Sequence, residues 1–339
     1  MKNRNQTISR RVFLRRSARG AGWFALGGVS LAGAAQKNGN PFAYDLERVS
    51  KTDPKLVRYE QAGRFACPGP GPRRLAIGPE DHVYIAARNG VSALDGEGRR
   101  LSQIVLGAPA RCVAVGPDGT VYAGLRDHVE VFDPKGRRLA AWESPGKKVW
   151  LTGLAVAGKE VFVADAGNRV VLHYDELGKV AGRIGEKNKE RNVPGLIVPS
   201  PYLDVKMGRD GLLRVNNPGR HLVEVYTPNG DLERAWGKAS AAIEGFCGCC
   251  NPVGVALLPD GRYVTCEKGL PRVKIYSAEG VFESVVAGPE SFPENARAGA
   301  LNDASDGLLG GLDAAVDSQG RIYVLDLVGG DVRVMRAKA

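Results

Sequence analysis

Three cysteines fall within four residues at Cys247, Cys249 and Cys250, in a run that starts at Gly245 and ends on Asn251 and Pro252. Thiols packed that densely bind a soft metal or pair as disulfides. Cys266 joins them in this reading, and four sulfurs at tetrahedral reach suit zinc, Cu(I) or an iron–sulfur cluster. The spacing C-x-C-C matches no standard zinc or ferredoxin pattern, so the metal reading rests on clustering alone. Disulfides are the competing expectation, joining Cys266 to one of the run and Cys67 to Cys112, because the six cysteines are even in number. Free or redox-active thiols are the third. Lys268 and Arg272 follow closely; they would receive an anion or lower a thiol pKa, unless they form a plain solvated turn.

A second candidate set is built from oxygen. Asp165, Asn217, Glu267 and Asp326 recur at matching places along the chain. A ring of such ligands would hold Ca²⁺ or another hard cation. The structural alternative has each residue cap its own turn by accepting backbone N–H bonds, and this is the favoured expectation. His82, His128, His173 and His221 are scattered and form no ligand group. No Ser/His/Asp arrangement, phosphate loop or aromatic–basic interleaving points to hydrolysis, nucleotides or nucleic acid.

A repeat positions these residues. From residue 56 onward the chain repeats at about 40–50 residues, a period that marks propellers and solenoids. Successive copies open near Leu75, Cys112, Leu154, Asp204, Val255 and Gly311. In the second copy an alternating strand from Cys112 meets a turn at Asp118 and Gly119, then a strand at Val121–Ala123, a third at Val129–Phe132 and a fourth at Arg138–Trp142. The segment Val161–Val170 carries the strand–turn–strand pattern that resembles NHL-repeat β-propellers, and the resemblance covers residues 56–338. It implies an all-β, six-bladed propeller over 56–339. The last copy is one strand short, and the unpartnered strand at Leu56–Gly63 is expected to close the ring. Some propellers resembling this one are lactonases or lyases with a central cation, which is how the oxygen set would be used.

Blade geometry then sorts the loops. With strands lettered A to D from the channel outward, D–A and B–C loops share a face. The long insertions 186–199, 238–250 and 289–309 are all D–A connections, so that face is the expected binding face. All six cysteines map to it.

The first 35 residues are a targeting segment, with residues 36–55 as linker. The stretch Ser9–Arg15 resembles a twin-arginine export signal. The following 16 residues, 20–35, include five glycines and are too short to span a bilayer. The resemblance implies the twin-arginine export machinery as a partner and a periplasmic or other extracytoplasmic location, with anchoring to the inner membrane if the signal stays uncleaved. The formal charge of +10 belongs mostly to this segment, whose removal leaves 40 basic against 37 acidic residues, a net +3. The basic balance therefore does not argue for nucleic acid. The expectation is a monomeric exported binding or scaffold module, taking a protein or small-molecule ligand on its cysteine-bearing face. The alternative is an enzyme, either a cation-dependent lactonase or lyase or a periplasmic redox protein.

Overall fold

The structure, a computed structural model, describes residues 49–298 and 310–339. The expected targeting segment, most of the expected linker and residues 299–309 of the third insertion lie outside the described residues. Six four-stranded antiparallel sheets form the blades of a β-propeller. Five are contiguous in sequence, spanning 74–104, 112–141, 151–184, 205–236 and 254–287. The sixth takes three strands from 312–337 and its outermost from Tyr59–Ala66, which pairs antiparallel with Asp331–Ala337. The closing strand expected from sequence is therefore present, three residues further along the chain.

The strands form because apolar residues alternate, and they stop where side chains hydrogen-bond the turn. In the C–D turns, Asp95, Asp133 and Asp175 each accept the backbone N–H groups two and four residues on, and Ser277 does the same. A glycine follows three residues later with positive φ, as at Gly178 (φ 75°) and Gly280 (φ 87°). These two positions are closed to side chains twice over. A Cβ at either would lie 2.3 Å from an indole of the preceding blade, Trp142 or Trp236. Phe65 of the closing strand packs on Gly98 of the first blade in the same way. Ring closure thus reuses the contact that joins consecutive blades.

Strands A to C bury their apolar faces between blades, while the D strands are largely exposed. No helix among the described residues is long and apolar enough to cross a membrane. Each long insertion leaves a D strand and returns to the next A strand, so all three share a face with the B–C turns.

Candidate functional site

The channel axis carries a charged hub that the sequence reading missed. Arg74 begins strand A of the first blade and is 7% exposed. Its guanidinium donates to Asp313 Oδ1 at 2.8 Å, to the Thr152 carbonyl at 2.9 Å and to the Val253 carbonyl at 3.3 Å. One side chain therefore bonds the third, fifth and sixth blades across the channel. Asp204 lies 3.8 Å from Arg74 and also accepts from Lys206 Nζ at 2.9 Å and from the Val255 N–H. Burial opposes charge on both partners. Even so, Asp204 and Asp313 hold the guanidinium ionised, and Lys206 and Arg74 keep the Asp204 carboxyl below its usual range. A signal for this hub existed. Arg74, Cys112, Asp204, Gly254 and Asp313 occupy one repeat position, and charge there interrupts otherwise apolar strands.

The oxygen set does not converge. Asp165 accepts from the Trp150, Gly167 and Asn168 N–H groups and from the Asn168 amide. Asn217 accepts from the Ile197 N–H and donates to Glu224. Asp326 accepts from the Asn295 amide and from the Val328 and Gly329 N–H groups. Each residue holds its own B–C turn or the adjoining loop, and among the described residues no group of three or more His, Cys, Asp or Glu gathers as a metal site.

Glu267 is the centre of a different network. Its carboxylate takes Arg272 in a two-pronged contact at 2.9 and 2.8 Å, Lys274 Nζ at 2.9 Å and the Cys247 N–H at 3.0 Å. Arg272 is therefore buried and paired, neither a solvated turn residue nor an exposed anion receptor. Lys274 also donates to the Ile243 and Gly245 carbonyls, fixing the 238–250 insertion to the fifth blade. Burial brings its pKa down to about 8, with Glu267 opposing.

The thiols divide into two kinds. Cys266 is fully buried in the core with Val253 and Val264, and the charges that act on it are those of the axial hub. The structure thus does not gather Cys247, Cys249, Cys250 and Cys266 into one four-sulfur site. Cys67 and Cys112 lie in separate core clusters, and all six cysteines are free thiols. Burial pushes Cys67 and Cys112 each up to about 12 and Cys266 well above its ordinary value, so these are inert. Cys249 and Cys250 differ, with their sulfurs 3.2 Å apart, Cys249 exposed and Cys250 buried. Burial raises Cys250, but its neighbours Ser200 and Cys249 and the Lys268 charge bring it below its ordinary value. Cys249 is raised, chiefly by its bond with Cys250. Of the two cations singled out from sequence, Lys268 is the one whose charge acts on Cys250, and its ammonium sits 4.7 Å over the Tyr202 ring.

On the insertion face the channel mouth narrows to a small hollow lined by Arg73, Arg74, Arg111, Thr152 and Tyr202. Arg111 and Arg126 pack on the Trp150 ring at 4.6 and 4.0 Å. Five of the six B–C turns carry a cation, namely Arg88, Arg126, Arg169, Arg220 and Lys268. Toward the opposite face the channel widens into a funnel of about 260 Å³ whose lining residues are aliphatic apart from Lys206 and Met207.

No family model matches the chain, and no curated protein matches it either. Solved structures do. A streptogramin B lyase structure superposes with a TM-score of 0.56 at 13% identity, over 83% of this chain and 97% of that one. The selenomethionine-substituted virginiamycin B lyase from Staphylococcus aureus gives 0.55 at 14% identity, over 83% of this chain and all of that one. A chain of the mitotic checkpoint complex gives 0.54 at 12% identity, over 93% of this chain and all of that one. At such identities the likeness establishes the propeller fold and leaves the chemistry to the residues.

Proposed function

We propose that this chain is an NHL-type propeller exported by the twin-arginine route, and that it acts as a binding module for an anionic partner on its insertion-rich face. The observation that carries the reading is the ring of cations, one in each of five B–C turns around the mouth. Turns on the opposite side are rich in carboxylates by comparison, with Asp95, Asp133 and Asp175 in C–D turns and Asp118, Asp210 and Asp260 in A–B turns. A net positive rim on one face favours one docking orientation and speeds encounter with an acidic surface. The 186–199 and 238–250 insertions beside this ring are held in place beforehand by Asn217 and by the Glu267 network. A partner therefore meets loops whose ordering cost has already been met within the fold.

A lactonase or lyase working through a central divalent cation is the weaker reading. Asp165, Asn217, Glu267 and Asp326 spend their oxygens on turns and on buried cations. The lyase activity in the neighbours' names is a property of those proteins.

A fluorescent polyglutamate peptide serves as a generic acidic probe for the test. It should bind the purified chain at low ionic strength and weaken steeply as salt shortens the Debye length from about 30 Å at 0.01 M to about 10 Å at 0.1 M. An Arg126→Glu/Arg169→Glu/Arg220→Glu variant should lose binding, and Arg99→Glu/Arg137→Glu/Lys179→Glu on the other side should keep it. Equal loss in both variants would refute face-specific recognition.

A further inference from the structure

We propose that Cys249 and Cys250 form a redox-active vicinal dithiol that exchanges with low-molecular-weight disulfides, and that Asn251 and Lys268 position it. The first observation is the sulfur pair itself, 3.2 Å apart with one member exposed and the other buried. The second is the way the surrounding backbone is fixed. Asn251, 1% exposed, donates its amide to the Cys247 carbonyl at 2.5 Å and to the Lys268 carbonyl at 3.0 Å, and accepts the Lys268 N–H at 2.9 Å. That side chain clamps the cysteine run to the turn that carries Lys268. The Cys247 N–H is held by Glu267, and the Gly248 carbonyl lies 2.6 Å from His221 Nε2. Both sulfurs are thus presented from a braced loop, and the Lys268 charge acts on the inner one.

The arrangement assigns each sulfur a step. Cys249, the accessible thiol, attacks a disulfide R–S–S–R and passes its proton across the short contact to a Cys250 thiolate. A Cys249–S–S–R bond forms, and one RS⁻ leaves. Cys250 then releases that proton to water, with its negative charge held by Lys268, and attacks the Cys249 sulfur. The mixed disulfide breaks, the Cys249–Cys250 bond forms and a second RS⁻ leaves. The dithiol is oxidised by two electrons, the external disulfide is reduced to two thiols, and the protons pass through water. Three of the other four sulfurs do not compete, because Cys67, Cys112 and Cys266 are packed in separate core clusters, and the fourth, Cys247, is tested directly below.

The test uses the folded full chain and oxidised glutathione as the disulfide. Wild type and Cys247→Ser should each lose two titratable thiols, release two glutathiones and retain no adduct, with peptide mapping locating the new bond between Cys249 and Cys250. Cys250→Ser should stop at a stable glutathione adduct on Cys249, and Cys249→Ser should remain unmodified. Asn251→Ala and Lys268→Gln should each slow the second step at least tenfold; Lys268→Gln should melt as wild type, while Asn251→Ala, which strands the buried groups it bonds, should melt lower yet still form the mixed disulfide. A lasting adduct on wild type, or a mapped bond from either sulfur to Cys247 or Cys266, would overturn the proposal. Phenylarsine oxide gives a second readout that needs no oxidation: it should protect both thiols of wild type and neither single variant.

Discussion

Arg74 shows how much one side chain can hold. Its donors reach a carboxylate of the sixth blade and carbonyls of the third and fifth, so it acts as a hub pin. Removing one member of a buried ion pair strands the other, typically at about 3–5 kcal/mol. Arg74→Met should therefore lower stability in urea by about that amount, with Asp313 and Asp204 left unmatched. A loss below about 1 kcal/mol would mean that water replaces the guanidinium without penalty. Lys274 gives a pH prediction of definite sign. Its folded pKa, about 8, lies below the ordinary 10.5, so the unfolded chain binds the extra proton between those values. Stability from this residue therefore rises as pH climbs from about 8 to 10.5 and is lowest, and flat, below 8. The difference in unfolding free energy between wild type and Lys274→Met, followed from pH 7 to 10.5, should move in wild type's favour. No trend across that window would show that Glu267 cancels the burial term.

At the scale of elements, the 238–250 insertion is a folded part of the fifth blade. Phe246 is fully buried against Trp236 and Tyr276, and Lys274 lies 4.7 Å from its ring centre. Large-to-small changes at such sites cost about 3–5 kcal/mol. Phe246→Ala should concentrate that loss locally, speeding amide exchange across 238–250 while the first two blades keep their protection. Uniform loss of protection would mean that the loop and the ring unfold together. The position of this loop was legible in the sequence, because repeat phase alone assigns it to a D–A connection. Its anchoring was not legible. Glu267 reads as one more residue at the end of a B strand, and only the blade's packing turns it inward to Arg272 and Lys274. The same holds for Cys266. Its register opposite Gly254 could be inferred, whereas its complete burial in the core with Val253 and Val264 could not.

For the whole molecule, closure is the main variable. The strand Tyr59–Ala66 covers the edge left by Asp331–Ala337, and Phe65 packs on Gly98 of the first blade. A chain beginning at residue 67 should expose that edge, unfold at markedly lower temperature and aggregate, while one beginning at residue 49 should melt as the full chain does. Equal melting of the two would show that the remaining ring is self-sufficient. Repeat number, blade order and the face that carries the long insertions were determined by the sequence alone, because alternation, turn residues and period are local properties written along the chain. The tertiary structure decided which polar groups meet. Arg74 and Asp313 are separated by 239 residues and touch only because the ring closes. The thiols follow the same rule: the spacing that drew attention to four sulfurs is a property of the chain, while the pairing of two of them depends on where folded loops aim their side chains.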